Sequence, residues 1–533
     1  MNISHIPFEK TGYFSPLICD YLKKKPELSP LYNNFPELEN FKIQVEEKKK
    51  TFNSSSRGVL VSVLEAQYAS TDTSDLTRSN IESLKEENTF TITTGHQLNL
   101  FTGPLYFLYK IISAINLSKE LKGEYPEYNF VPVYWMATED HDFEEINYFN
   151  FKGKKVQWNR NATGAVGALS TEGLKDVFEV FGDELGQTKN AEILKELFKK
   201  AYLGNDNLAD ATRFLANELF KDYGLVIIDA NNIDLKREFI PYMETELFDN
   251  VAYNQVLNTN RSIEELAEQY KIQVNPREIN LFYLVNGIRE RIVFEDGVYK
   301  ALNTEVLWNK SEIKTELQEH PERFSPNVIM RPLYQEVILP NLCYIGGGGE
   351  LAYWFQLKSF FNKVEVPFPI LLLRNSVLIE SESQYKKLGN LDVSIEDVFL
   401  KRHNFINKKV REISNIEIDF SSQKSVLKAQ FEKLNELAVQ TDKSFLGAVK
   451  AQEKKQLKGL DVLEKRLLKA QKRKLSDQVM RMTELQTELF PGQSLQERNA
   501  NFSEFYLEYG NQLIPDLIDH LEPLKGEFII LVL

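Results

Sequence analysis

The sequence predicts a doubly wound α/β fold with a long helical appendage, on three observations. Residues 89–137 read as strand, helix, strand: the apolar run TFTITTG, a helical stretch, then FVPVYWMA. Two further runs, GLVIID at 224–229 and PILLLR at 369–374, have the apolar density of parallel strands buried on both faces. From about 421 the texture turns to lysine, glutamate, glutamine and leucine with no proline until Pro491, as a long helical hairpin requires. Together these describe a Rossmann-type parallel sheet with inserted connecting subdomains and a C-terminal α-helical coiled coil.

Within the first unit, Gly103 and Pro104 suit a helix start, and Leu108, Ile111, Ile112 and Ile115 then repeat at helical spacing, so they should face the sheet. The core is expected over residues 1–380. Two segments between its strands, about 150–215 and about 245–325, are too long for plain loops and read as inserted subdomains. The second contains NPREINLFYLVNGIRERIVFEDGVYK, where Asn286-Gly287 and Asp296-Gly297 separate short alternating runs into antiparallel hairpins, a lid-like or specificity insert. The helical domain is expected over 381–510. Leu427, Phe431 and Leu434 mark one seam; Leu460, Leu463, Leu467 and Ala470, then Leu475, Val479 and Met482, mark a longer one, with Thr441 or Asp442 capping the second helix. Unbroken to Leu489, that helix would run roughly 70 Å at about 1.5 Å per residue, which suggests dimer contacts. The last segment, 511–533, ends in GEFIILVL and reads as a strand returning the chain to the core sheet.

At 533 residues the chain is too long for one ordinary core, and 42% hydrophobic with 26% charged residues is a globular composition. A net charge of -13 argues against broad adhesion to nucleic acid or to an anionic membrane. The basic stretch of the coiled coil, AQEKKQLKGLDVLEKRLLKAQKRK, reads as a solvated helix face. No run of about 18 apolar residues and no signal-peptide core occurs, and Cys19 and Cys343 stand far apart without a CxxC. A cytoplasmic, reducing setting and work on small molecules are expected.

Ligands of open parallel sheets bind beyond the carboxyl ends of the strands, so the residues after each run are the candidates. Gly95, His96 and Gln97, with Thr102 and Gly103 at the helix start and Lys110 on its first turns, could receive a nucleotide phosphate on free N–H groups. The alternative is a structural strand-to-helix turn, since neither GxxxxGK[ST] nor a convincing GxGxxG is present. Glu139, Asp140, His141 and Asp142 follow Trp135 and its strand. A histidine between carboxylates can act as a general base; the same carboxylates could hold a divalent cation or cap a helix, and no metal is predicted. Arg331, Gln335, Glu350 and Tyr353 flank Gly346, Gly347 and Gly348; the glycines permit close approach of a ligand, Arg331 suits a carboxylate or phosphate, and Glu350 an ammonium. A flexible turn before a helix is the other reading.

Taken in order, TTGHQLNLFTGPLYFLYKIISAI, VPVYWMATEDHDFEEIN, DYGLVIIDA, NPREINLFYL, RPLYQEVILPNLCYIGGGGELAYW and ELFPGQSLQER resemble the landmarks of the bacillithiol biosynthesis cysteine-adding family, across nearly the whole chain. His96 departs from the glutamine expected in a GQQ pattern. The resemblance implies a core similar to class I aminoacyl-tRNA synthetases, a homodimer through the coiled coil, and a ligase that joins cysteine to glucosaminyl malate. It further implies ATP as activating cofactor, through a cysteinyl-adenylate. On this reading Gly95, His96, Gln97, Thr102, Gly103, Lys110 and Gly346 to Gly348 approach the nucleotide. Asp140, His141 and Asp142 orient or deprotonate the attacking amine, and Trp135, Glu139, Arg331, Gln335, Glu350 and Tyr353 hold substrate. Rival classes are a nucleotidylyltransferase or another amino-acid ligase on the same core, and a nonenzymatic coiled-coil adaptor.

Overall fold

A computed structural model describes residues 2–285 and 287–533. Its centre is a five-stranded sheet, parallel throughout, ordered Ile370–Leu373, Asn341–Gly346, Thr89–His96, Asn129–Met136, Val226–Asp229. Along the chain these strands come fourth and fifth on one side and first to third on the other, so the order reverses between Thr89–His96 and Asn341–Gly346. That reversal opens a crevice at the carboxyl ends. Thr89–His96 is buried along its whole length, and its threonines stay satisfied inside the sheet: Thr93 donates to Asn341 Oδ1 at 2.8 Å and Thr94 to the Ile345 carbonyl at 2.8 Å. The helix Tyr106–Glu124 packs on this strand and the next, with Leu108, Ile111, Ile112 and Ile115 buried.

Both insertions form subdomains. The first comprises the hairpin Tyr148–Phe151 and Lys154–Gln157 and the helices Leu174–Leu185, Lys189–Phe198 and Leu208–Phe220. The second carries the helices Ile233–Asp249 and Val251–Leu266 and a five-stranded antiparallel sheet ordered Leu307–Trp308, Val298–Ala301, Ile288–Glu295, Leu281–Val285, Phe324–Pro326. Asp296 (φ 54) and Gly297 (φ 81) make the tight turn joining Glu295 to Val298. Val285 pairs with Ile288 across the other turn; Gly287 has φ 77, and Asn286 lies outside the described residues.

The helical hairpin consists of Ser421–Val439 and Lys443–Lys474, with Asp442 capping the second helix by accepting from the Phe445 N–H at 2.9 Å. Three expectations are corrected. The long helix is interrupted at Leu475 (φ −101, ψ 25) and resumes as Ser476–Leu489. The seam is narrower than the leucine pattern suggests. Phe431, Ala438 and Val449 are buried with Leu427 and Leu446 against them, whereas Leu434 and Leu463 are 43% and 52% exposed, because a two-helix hairpin offers each helix a single contact stripe. Finally, Glu527–Val532 does not enter the central sheet. It pairs antiparallel with Asn2–Pro7 and parallel with Val377–Glu380 in a sheet of its own. The outer edge of Val377–Glu380 is closed by side chains: Gln496 exchanges two hydrogen bonds with the Ile379 backbone at 2.9 Å each, and Glu497 accepts from the Val377 N–H.

Candidate functional site

A cavity of about 630 Å³ opens at the reversal point, floored by the ends of Thr89–His96, Asn129–Met136 and Asn341–Gly346 and roofed by the second insertion. On the floor, the Lys110 ammonium is 4% exposed; it donates to the Gly95 carbonyl at 2.7 Å and lies 2.6 Å from Glu350 Oε1. Glu350 also accepts from the Gly347 N–H at 3.1 Å and from the Tyr344 hydroxyl at 2.7 Å. Burial by itself would raise the Glu350 carboxyl, but Lys110 outweighs it and holds the group below the usual carboxylate range. The ammonium expected at Glu350 is therefore supplied by the chain itself.

Arg331 stands beside this pair in a different electrostatic position. Its guanidinium donates to Gln335 Oε1 at 3.1 Å and to the Tyr353 hydroxyl at 3.3 Å, both neutral, and lies over the rings of Trp135 and Tyr344. Gln335 is fully buried behind it and bonded in turn to Glu336, so it orients Arg331 and does not line the cavity.

The rim is the turn after Asn129–Met136. Asp140 accepts from Gln97 Nε2 at 2.9 Å and from the His141 N–H at 2.7 Å. Burial would raise its carboxyl, yet the His141 imidazole beside it, these hydrogen bonds and the Arg289 charge together hold it well below the usual range. Glu139 is paired with the buried Lys236 at 2.6 Å, and Lys236 also donates to the Phe324 carbonyl, tying the rim to the insertion. His141 Nδ1 accepts from Arg289 Nη1 at 2.7 Å, which places the ring proton on Nε2, 3.9 Å from Asp142. The lone pair that general-base work needs is thus directed at a guanidinium, and His141 presents an N–H donor instead. Atoms of Asp140, His141 and Asp142 lie within 4.8 Å of one another, and Arg289 already engages the Nδ1 atom of that imidazole.

His96 is buried between Tyr106 and Phe107 and donates from Nδ1 to the Gln97 carbonyl at 2.7 Å, leaving Nε2 as an acceptor on the cavity wall. Burial first and the nearby Lys110 second push its pKa down to about 3, so the ring stays neutral at physiological pH.

Several expected residues are placed elsewhere. Thr102 and Gly103 belong to a buried turn with positive φ at Phe101, Thr102 and Gly103, pinned by Asn501, which donates to the Phe101 and Gly103 carbonyls at 2.8 and 2.6 Å. The phosphate-receiving helix start expected there is instead packed against the C-terminal region. Gly346 serves close packing, since a Cβ there would come within 2.9 Å of the Tyr344 ring, whereas at Gly347 and Gly348 a Cβ would meet its nearest neighbours, Glu350 and Ile18, only at 3.4 Å; none of the three lines the cavity. The cavity wall at this point is Tyr344, Glu350 and Tyr353, whereas Gly95, His96, Gln97, Lys110, Trp135, Glu139 to Asp142 and Arg331 all border the cavity.

The sequence pattern did not single out Tyr344, Phe282 or the arginines of the insertion. Arg289 donates to Ser325 Oγ and the Pro326 carbonyl as well as to His141, and its guanidinium stacks 4.0 Å from the Phe282 ring centroid. Arg289 and Arg291 sit two apart on one strand, so alternation could have placed both on one face.

Residues 1–375 match the family described as Bacillithiol biosynthesis BshC, N-terminal Rossmann-like domain, and residues 377–533 that described as Bacillithiol biosynthesis BshC, C-terminal coiled-coil domain. The chain is 61% identical over 528 residues to a Flavobacterium johnsoniae protein named "Putative cysteine ligase BshC", with 99% of each covered. It is 59% identical over 535 residues to the protein of that name from Christiangramia forsetii, covering 100% of this chain and 99% of that one. It is 27% identical over 540 residues to the Bacillus cereus protein of that name, covering 98% and 97%. The two matches divide the chain between the strand Ile370–Leu373 of the central sheet and the strand Val377–Glu380 of the three-stranded one, and the protein belongs to the BshC family of bacillithiol biosynthesis.

Proposed function

We propose that the protein is a carbon–nitrogen ligase that joins the carboxyl of L-cysteine to the amine of glucosaminyl malate, the last step of bacillithiol biosynthesis. The observation that carries this reading is Arg331: a guanidinium held inside the cavity with only neutral hydrogen-bond partners, opposite a rim of carboxylates. A half-buried guanidinium whose hydrogen bonds go only to neutral groups keeps donor capacity for an anion, so Arg331 suits a substrate carboxylate. Asp140, kept ionised, and Asp142 attract and orient the acceptor's ammonium, and His141 offers its Nε2–H to an acceptor atom of the substrate. With its lone pair facing Arg289, His141 is not the base of this reaction; the ammonium loses one proton to solvent at the open rim before the amine attacks, and a second as the amide forms and the leaving group departs.

Amide formation at neutral pH needs an activated carboxyl, and ATP is the cofactor we propose for it. The fit rests on this chain's own groups: neutral His96, whose Nε2 accepts a hydrogen bond, the Tyr106 ring beside it, and Arg331 for an anionic oxygen. ATP would supply the leaving group that makes the cysteine carboxyl electrophilic. Lys110 and Glu350 neutralise each other and fix the floor on which these groups are set.

The proposal extends to assembly and setting. Val426, Leu437, Val439, Val462 and Leu463 expose apolar area on the hairpin, which a second copy would cover. Cys19 and Cys343 are both free thiols, as suits a reducing cytoplasm, and among the described residues no helix is long and apolar enough to cross a membrane. The test is thiol profiling by mass spectrometry in a strain lacking this chain. Loss of bacillithiol with build-up of glucosaminyl malate, restored by the wild type and not by Arg331→Gln, is expected. Unchanged levels of both compounds would remove the assignment.

A further inference from the structure

The cationic wall of the cavity belongs to the second insertion. Arg277 precedes the strand Leu281–Val285, and Arg289 and Arg291 lie on Ile288–Glu295; all three border the cavity. The register sets Arg291 directly across from Phe282 and Arg289 across from Leu284, so both arginines project from one face of the sheet. Arg289 is spoken for: His141, Ser325 and Pro326 accept its hydrogen bonds, and Phe282 takes its flat face.

Arg277 and Arg291 are not committed in this way. Arg277 bonds through its backbone N–H to Asn280 Oδ1 at 3.0 Å, and Arg291 through its carbonyl to the Leu302 N–H at 2.8 Å. Neither guanidinium has an ion-pair or hydrogen-bond partner among the described residues. In a chain of net charge -13, unpaired guanidiniums concentrated on one cavity wall run against the overall balance. Like charges lining one cavity repel, and an anion with two oxyanionic groups relieves that repulsion. The planar donor fork of arginine matches a carboxylate in bidentate geometry.

We propose that Arg277 and Arg291 form a dicarboxylate subsite that receives the two carboxylates of the acceptor, so that the insertion chooses the acceptor while the sheet positions the reacting amine and carboxyl. This rests on the ligase reading above and names the part of the acceptor that the cavity recognises. It also assigns the insertion a job. A strand that carries Arg289 to the rim and Arg291 to the ligand couples acceptor binding to the placement of His141. Phosphate oxygens share this chemistry, and the experiment separates the two sources.

The full-length chain is titrated calorimetrically with glucosaminyl malate, with L-malate, with ATP and with L-cysteine, for the wild type and for Arg277→Gln, Arg291→Gln and Arg291→Lys. Each glutamine variant is expected to bind glucosaminyl malate and L-malate about tenfold more weakly, the equivalent of one charge-assisted hydrogen bond, with Arg291→Lys in between and cysteine affinity unchanged. Thermal unfolding checks that the variants are folded; both side chains are at the surface of the cavity, so little change is expected there. Glucosaminyl malate affinity unchanged in both glutamine variants would overturn the subsite, as would a loss confined to ATP, which would make it a phosphate site. A wild-type chain that binds no glucosaminyl malate and forms no amide would instead defeat the ligase reading itself.

Discussion

Lys110→Met isolates the charge balance on which the cavity floor depends. The substitution keeps the length of the side chain and removes the ammonium that sits 2.6 Å from Glu350 Oε1 and bonds the Gly95 carbonyl. Glu350 would then keep two donors, the Tyr344 hydroxyl and the Gly347 N–H, but no counter-charge. Breaking a fully buried pair by deleting one partner costs about 3–5 kcal/mol. Glu350 is 27% exposed, which lets water share its charge, so about 2–3 kcal/mol is expected at pH 7. The sign with pH follows from the depressed Glu350 carboxyl. In the wild type this group contributes stability above its unfolded pKa, and that contribution is lost as pH falls through its lower folded value. Without Lys110, burial is opposed only by the Tyr344 and Gly347 hydrogen bonds, and the folded value rises from its wild-type position. The deficit of the variant is then greatest at neutral pH and shrinks as pH falls toward the depressed folded value of the wild type, below which Glu350 is protonated in both proteins.

Urea unfolding of wild type, Lys110→Met, Glu350→Gln and the double variant across pH 4 to 8 measures this as a thermodynamic cycle. The double variant should be more stable than Lys110→Met alone at pH 7, because the uncompensated carboxylate is gone. If Lys110→Met matches the wild type at pH 7, or if its deficit grows on acidification, the pair is not the electrostatic support of the floor and the reasoning fails.

Three further outcomes follow from the same geometry. His96→Gln should retain ligase activity within a few-fold, and should remove an acid sensitivity. The wild-type histidine, neutral when folded down to about pH 3 but protonated below about 6.5 when unfolded, loses the protein about 2 kcal/mol at pH 5, visible as a steeper fall in unfolding midpoint between pH 6.5 and 4. Arg289→Lys should lower turnover about tenfold with little change in unfolding midpoint, because a single ammonium cannot span His141, Ser325 and Pro326 as the guanidinium fork does; steady-state rates check it. Asn501→Ala should destabilise by about 2 kcal/mol, read from urea unfolding, because two buried carbonyls in the strained Phe101–Gly103 turn lose their donor.

What the sequence disclosed and what it hid divide along a physical line. Elements whose evidence is local were legible: the two strands and helix of 89–137, the Asp296-Gly297 turn, the proline-free hairpin capped by Asp442. The strand Asn341–Gly346 was not, although it is central. It is only six residues long, opens on a polar asparagine and ends in glycine, and the buried asparagine is tolerable because Thr91 and Thr93 of the neighbouring strand donate to its Oδ1 and its Nδ2 donates to Glu336. At Thr102 and Gly103 the local pattern of a helix start was overruled by Asn501, roughly 400 residues downstream. The rim acids and Arg331 could be marked by type and position, but their roles could not be read, because each depends on a partner from another segment: Lys236 for Glu139, Gln97 for Asp140, Arg289 for His141.

Those partnerships sort the charges of the cavity into two sets, and the sorting carries a mechanism. Charges supplied by the sheet and its helices are largely compensated within the chain: Lys110 by Glu350, Glu139 by Lys236, Asp140 by donors from Gln97 and the His141 backbone. Such groups are fixed before any ligand arrives and need no reorganisation when charge develops nearby. The Arg277 and Arg291 guanidiniums have no ion-pair or hydrogen-bond partner among the described residues, and Arg331 hydrogen-bonds only neutral groups, so these three are where an anionic ligand gains most. Because Arg289 and Arg291 share one strand, an anion drawn to Arg291 loads the same strand that holds His141 at the rim. Acceptor binding and rim geometry are then a single mechanical event, and a variant that weakens the insertion's grip on the rim, such as Lys236→Met, should weaken acceptor binding as well as turnover even though Lys236 touches no substrate.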